Sequence, residues 1–428
     1  MSVPAPAASD TVSATAAEPA SEGGHDGSGP GGRFLVDVEA MRDELIALRR
    51  DVHQYPEIGL DLPRTQEAVL RALAGLPLEV GTGTGLSSVT AVLRGGRPGP
   101  AVLLRGDMDA LPVTELSGLD YASRIDGAMH ACGHDLHVAM LVGAARLLSA
   151  ARDELPGSVV FMFQPGEEGP GGAEPMIAEG LLEAAGVPLV GAYCLHVLSG
   201  WLPHGQFTTR RGTMLAAADT LHVTVHGAGG HGSAPQFARD PIPAACEMVL
   251  ALQTFVTRSI DVFDPAVVTV GTFHAGTVEN VIPARAQFSA TLRSFSPQTR
   301  ERLRTGVQDV VNHIAAAHGL TADAVYVPGY PVTVNDGGEA DFAAATAAQL
   351  FGAERFAWME HPEAGAEDMS YVLERVPGAY LNLGACPPEL DPLTAPLNHA
   401  PEARYDDALV PDGAALLAEL AWRRLHRG

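Results

Sequence analysis

Cysteine, basic residues and unbroken apolar stretches are all scarce in this chain, and each shortage removes a class of protein. Only four cysteines occur in 428 residues (Cys132, Cys194, Cys246 and Cys386). They lie far apart and suggest no disulfide framework, so a reducing, cytoplasmic setting is expected. No apolar run approaches the roughly 18 residues that a transmembrane helix needs. Lys and Arg number 27 against 51 Asp and Glu, a formal net charge of −24. Nucleic acid and anionic membrane surfaces reward the opposite sign, so neither is expected as a partner. Residues 1–33 lack the basic start and the apolar segment of about 7–15 residues that mark a secretory signal. They are almost all Ala, Pro, Ser, Thr, Gly and acid, with too little apolar surface to offset the entropy of ordering them. A disordered tail is expected there.

What remains is ordinary for a globular protein, with 46% hydrophobic and 18% charged residues. Domains run to roughly 100–200 residues, so the length predicts at least two. Helical spacing of apolar residues marks 36–50 and, after a proline-containing turn, 63–76. Apolar runs bounded by Gly and Pro predict strands at 88–93, 101–105, 158–164 and 189–196, with a helix at 135–150. That alternation predicts an α/β fold, a mixed, mostly parallel sheet with helices on both faces. From Thr220 to His226 the pattern changes to strict alternation, with Leu221, Val223 and Val225 on one face. A helix at 240–259, strands at 266–274 and 285–293, a helix at 297–317 and a strand near 324–328 follow. The order β-α-β-β-α-β is that of small ferredoxin-like α+β domains. It predicts an inserted domain at 213–327 within a discontinuous catalytic domain, 34–212 and 328–428, closed by a helix at 411–426.

Chemistry in such sheets gathers at the carboxyl ends of strands. Asp107, Asp109, Glu167, Glu168 and His196 all fall at or just past a predicted strand end. The densest cluster is MHACGHDLH (129–137), with His130, Cys132, His134, Asp135 and His137. Thiolate and imidazole favour zinc and other divalent transition metals. His130 and His137 are expected to support the ligands, and Asp135 to cap the helix. Asp107 and Asp109, two apart on an extended chain, point the same way. They could bind metal or hold the imidazoles that do, and Asp109 is read as the latter. Glu167 and Glu168 follow a strand and a Pro-Gly turn. Their side chains diverge, which suits one on a metal and one on a water. His196 and His399 are unremarkable on their own.

Seven motifs, RGDMDALPVTE (105–115), MHACGHDLHVAML (129–141), FQPGEEG (163–169), GGHGSAP (229–235), NVIP (280–283), GAEDMSYVLERVPG (365–378) and NHAP (398–401), share one resemblance. From about residue 35 onward the chain resembles the aminoacylase and hippurate-hydrolase-like amidohydrolases. These belong to the di-metal peptidase family that includes glutamate carboxypeptidases. The resemblance implies a metal-dependent enzyme that cleaves N-acyl amino acids, of hippurate, N-acetyl or auxin-conjugate type, to an acid and a free amino acid. It implies two divalent metal ions per subunit (zinc, manganese or cobalt), held by Cys132, His134, Glu168, His196 and His399. Glu167 is implied as general base and Asp109 as the acid behind the ligands. The insert is implied to be a lid that also dimerises, in a homodimer or homotetramer. Its His231 resembles the histidine that reaches into the partner subunit's site, and Asn280 and Arg293 resemble substrate-binding residues.

Two features bear on specificity. Gln236 stands where this subfamily usually has His, and the acidic, proline-rich stretch 386–396 is expected to shape the pocket rim. A dipeptidase or carboxypeptidase on the same scaffold is the rival enzyme. A non-catalytic binding homologue has no need of Glu167, and redox sensing would require Cys132 as a reactive thiol.

Overall fold

Apolar side chains of the central strands divide alternately between two cores in the computed structural model, which describes residues 32–427. From the strand Arg97–Asp107, Val102 and Leu104 enter one core and Ala101 and Leu103 the other. Val159, Phe161 and Phe163 separate from Val160 and Met162 in the same way along Pro156–Gln164. A strand buried on both faces shows no alternation in sequence, only a continuous apolar run.

The larger sheet has eight strands, in the order Leu78–Thr82, Val89–Arg94, Pro156–Gln164, Arg97–Asp107, Leu189–Leu198, Gly378–Gly384, Phe207–Thr209 and Phe356–Trp358. Four of its seven neighbouring pairs are parallel. Helices Arg42–Gln54, His134–Ala150 and Val410–His426 pack on one face. Shorter helices Ala173–Ala178 and Ser370–Leu373 lie on the other. The fold is thus the expected α/β arrangement of a mixed, mostly parallel sheet with helices on both sides. The helical spacing at 36–50 resolves into two helices, Leu35–Glu39 and Arg42–Gln54, whose buried Val38, Leu45 and Val52 join the same core. Of the stretch 1–33 expected to be disordered, residues 1–31 lie outside the described residues.

Strands Ala217–His226, Ala266–Ala275, Arg285–Ser294 and Thr321–Pro328 make a second, wholly antiparallel sheet. Its spatial order is second, third, first, fourth. Leu221, Val223 and Val225 face helices Pro241–Ser259 and Pro297–Ala317 in a core of their own. Both helices start with proline behind a capping side chain, Asp240 accepting from Ile242 N and Ser296 from Thr299 N. The chain leaves and rejoins the larger unit through two short paired strands, Gly212–Leu215 and Thr333–Asn335. No helix among the described residues is long and apolar enough to cross a membrane.

Candidate metal centre and active site

Three strand ends, one helix start and one loop converge beside the larger sheet. The strand Arg97–Asp107 delivers Asp107 and, just beyond it, Asp109. Cys132 and His134 flank Gly133, whose φ of 82° precedes the helix His134–Ala150. A Cβ at Gly133 would lie 2.4 Å from Val197 Cγ2. Only glycine meets both demands, a left-handed backbone and a close approach. Glu167 and Glu168 follow the strand Pro156–Gln164, and His196 sits in Leu189–Leu198.

His399 arrives on a loop with φ 74°. That conformation costs a non-glycine residue about 1–3 kcal/mol and persists only where the surroundings impose it. Here His399 N donates to Ala131 O at 2.8 Å. The neighbouring Asn398 donates through Nδ2 to Val197 O (3.0 Å) and accepts through Oδ1 from Ser199 N (2.9 Å). Asn398 thereby ties the His399 loop to the strand that carries His196.

The ligand-capable atoms fall into overlapping groups: Cys132, His134 and His196; Cys132, Glu168 and His399; His134, Glu167 and Glu168. Within each, the atoms lie within 4.8 Å of one another. Cys132 Sγ is 3.4 Å from His196 Nε2, and His399 Nε2 is 3.0 Å from Glu168 Oε1. The latter pair is close without hydrogen-bond alignment, and Glu168 Oε1 and His134 Nε2 are both buried with no hydrogen-bond partner. Such orphans cost about 1–3 kcal/mol each, a penalty that a cation between them removes. The cluster also attracts positive charge, since Cys132 and then Glu168 push the His399 imidazole up to about 10. The residues present therefore fit a divalent metal site.

Supporting contacts decide which nitrogens are free. His134 Nδ1 donates to Asp109 O at 2.9 Å, and His196 Nδ1 to Val197 O at 2.9 Å. Each bond fixes the tautomer that leaves a bare Nε2 for a metal. His137 accepts from Val197 N at Nε2 (2.9 Å) and donates from Nδ1 to Asp107, so neither nitrogen is left over. His130 is buried without a polar partner, and burial drops it to about 3, so it stays neutral. Asp135 does not cap its helix as expected. Its carboxylate instead faces Arg49 Nε (2.7 Å) and His53 Nδ1 (2.8 Å) beneath the helix start. Because the Asp135 side chain is fully buried, it follows the nearest buried cations and not the open helix end.

Asp109 accepts from the backbone N–H of Glu167 (3.0 Å) and of Glu168 (2.9 Å), which sets the two glutamates in place. Their own surroundings differ. Burial first, then the charges of Glu367, Glu168 and Asp368, push Glu167 well above the usual carboxyl range. Burial also acts on Glu168, but the close approach of His399 and the nearby His134 hold it below that range. Environments that drive two neighbouring carboxyls apart assign them different work.

Four residues that shape this environment, Arg105, Glu367, Asp368 and Tyr330, carry no role in the sequence reading. Arg105 is fully enclosed and faces Asp107 (2.7 Å), Glu367 (2.8 Å) and Asp368 (3.1 Å). With three acids around one guanidinium, burial carries Glu367 up to about 8. Tyr330 donates to Glu167 O at 2.7 Å. The RGD and GAED motifs held the first members of this set, but 262 positions separate Arg105 from Glu367.

A cavity of about 600 Å³ opens onto the cluster. Cys132, Glu167, Glu168, His196 and His399 line it from the larger unit and Arg293 from the insert. Arg293 donates to Thr291 Oγ1 (2.7 Å) and Leu292 O (3.1 Å). His231 and Asn280 do not line this cavity. They lie exposed and side by side on the insert, where His231 pairs with Val281 and Gly232 N donates to Asn280 O. Gln236 is exposed in the turn Pro235–Phe237, also away from the cavity wall. In the stretch 386–396, Pro392 O accepts from the backbone N–H of Trp201 at 2.7 Å, and Trp201 lines the cavity.

The sequence pattern of Peptidase family M20/M25/M40 matches residues 103–423. The chain belongs to this family. It is 38% identical to thermostable carboxypeptidase 1 of Saccharolobus solfataricus, over 81% of this chain and 87% of that protein. It is 35% identical to IAA-amino acid hydrolase ILR1-like 5 of Arabidopsis thaliana, over 91% and 89%, and 35% identical to the hippurate hydrolase of Campylobacter jejuni, over 81% and 89%. The crystal structure of the Bacillus subtilis YXEP protein, described as a dinuclear metal binding peptidase from the M20 family, superposes with a TM-score of 0.77. It is 30% identical, over 91% of this chain and 99% of that one. As an M20 protein, this chain is a metal-dependent hydrolase of amide bonds, and the family with its dinuclear member supports two divalent ions.

Proposed function

We propose that the chain hydrolyses N-acyl amino acids, releasing a carboxylic acid and a free amino acid. The observation that carries this reading is the pairing of Glu167 and Glu168. They are adjacent in sequence, held through their backbone N–H groups by Asp109, and open to one cavity that also holds Arg293. The relatives named hippurate hydrolase and IAA-amino acid hydrolase support the substrate class.

Cys132, His134, Glu168, His196 and His399 would hold the two ions, with zinc, manganese or cobalt suited to this mix of thiolate, imidazole and carboxylate. When bound, the ions supply Lewis acidity, which brings the pKa of water toward neutral and polarises the scissile carbonyl. Glu167 takes the proton of the attacking water and returns it to the departing amine nitrogen. Asp109 keeps the Glu167 backbone fixed, and Tyr330 holds its carbonyl, so the carboxylate meets the water without searching. Arg293 binds the free carboxylate of the amino acid. The insert, 213–327, acts as lid and dimerisation domain, with His231 and Asn280 serving the partner's site. Four free thiols support a reducing, cytoplasmic location.

The similarity to a carboxypeptidase favours a second reading, cleavage of a C-terminal residue from a peptide. Arg293 would hold the carboxylate in that case too. Comparing kcat/KM for N-benzoylglycine with that for a tripeptide ending in glycine decides between them. A preference of at least about tenfold for the N-acyl amino acid is expected, and the reverse preference would establish the peptidase.

A further inference from the structure

The cavity has a polar wall that the hydrolytic chemistry does not use. Glu363 and Asn382 both line it, and Asn382 Nδ2 donates to Glu363 Oε1 at 2.6 Å. Asn382 sits within the strand Gly378–Gly384, directly opposite His196 of the parallel neighbouring strand. Residues in register on adjacent strands project to the same face, and the strands lie about 4.8 Å apart. The Glu363–Asn382 pair therefore shares the cavity with His196 and lies on the same face of the sheet. Its backbone is held on both sides, since Glu363 N donates to Met214 O (2.9 Å) and Glu363 O accepts from Ala216 N (3.1 Å).

A carboxyl group in this place is costly. Its neighbours in the wall include Leu215, Tyr380, Leu397 and Ala364. Burial raises its proton affinity, and the amide of Asn382 is the one group that counters this. An acid whose single side-chain partner is a neutral amide, facing an enterable cavity, keeps acceptor capacity for whatever enters. Arg293 supplies the opposite chemistry in the same cavity, a guanidinium for a carboxylate.

We infer that Glu363, positioned by Asn382, selects substrates that carry a hydrogen-bond-donating amine in addition to their free carboxylate. The amine can sit on the acyl group or on the amino-acid side chain, and the same carboxyl would read either. This assignment deepens the N-acyl amino acid reading and rests on it for the substrate class.

The test uses two matched pairs and two readouts on metal-loaded, full-length enzyme. N-(4-aminobenzoyl)glycine against N-benzoylglycine places the amine on the acyl group. N-benzoyllysine against N-benzoylnorleucine places it on the side chain. Turnover is measured in wild type, Glu363→Leu and the nearly isosteric Glu363→Gln. Calorimetric binding of the same compounds is measured in the slow Glu167→Gln background, with and without each Glu363 change. In at least one pair, the amine-bearing member should be preferred about tenfold or more in wild type, and the preference should fall to about onefold in Glu363→Leu and be weakened in Glu363→Gln, whose amide oxygen still accepts but carries no charge. The pair that shows it identifies which part of the substrate meets Glu363. Absence of an amine preference in both pairs, or a preference that survives both substitutions, overturns the assignment. Binding that depends on Glu363 without turnover of any of the four compounds would overturn the hydrolase reading and leave Glu363 as the selector.

Discussion

Glu167 shares its surroundings with Glu367 and Asp368 as well as with Glu168 and His134, whereas Glu168 also meets His399. Replacing each with glutamine should separate their roles. Glu167→Gln is expected to retain bound metal, by elemental analysis, and to lose at least about a hundredfold in kcat, since general bases contribute about 10²–10⁴. Glu168→Gln is expected to lose metal. If the two variants match in metal content and rate, the division of labour is wrong. Sequence revealed these residues because each ligand segment is local: Cys132 and His134 lie two apart, Glu167 and Glu168 adjacent. Contacts that cross the fold were not legible. Arg105 meets Glu367 and Asp368, Asn398 ties two ligand-bearing segments together, and Asn382 holds Glu363. No local pattern announces a partner far along the chain. Asp135 read as a helix cap for the same reason, because its partners Arg49 and His53 come from another helix.

Elements were legible in proportion to their length and burial. The strands Pro156–Gln164 and Leu189–Leu198 stood out as apolar runs, because both of their faces are covered. Helix Pro297–Ala317 carries a clear amphipathic period with Leu303, Val307, Val311 and Ala315 inward. Strands Phe207–Thr209 and Phe356–Trp358 have three residues each, too few to show any period. The insert's β-α-β-β-α-β order could be read because its sheet is covered by helices on one face only, which leaves the alternation of Leu221, Val223 and Val225 visible. The junction between strand, loop and helix at Gly133 gives the sharpest test at this scale. Gly133→Ala must adopt a left-handed backbone and push against Val197. It is expected to lower unfolding free energy by about 1–3 kcal/mol and to weaken metal binding, since Cys132 and His134 flank it. Urea unfolding and metal titration measure both. Unchanged stability with unchanged metal affinity would show that the turn is not constrained as described.

One cavity is walled by the larger unit and, through Arg293, by the insert, while His231 and Asn280 lie exposed on the insert outside its lining. Those two positions make sense in the proposed dimer, in which each site takes residues from both chains. Co-expressed with distinct tags, His231→Ala and Glu167→Gln subunits should form a mixed dimer with about half the wild-type rate. In that dimer one site holds both Glu167 and His231 and the other holds neither. No recovery in an isolated mixed dimer would place His231 in its own subunit's chemistry or outside the chemistry altogether. Orphaned Glu168 and His134 atoms, free imidazole nitrogens on His134 and His196, and the cation-attracting His399 all depend on one premise, that divalent metal completes the site. The most direct measurement is therefore hydrolysis of N-benzoylglycine by protein stripped with chelator and titrated with zinc or manganese. Activity should vanish on stripping and return on titration, reaching a plateau at two ions per chain. Full activity in protein shown by elemental analysis to be metal-free would contradict it.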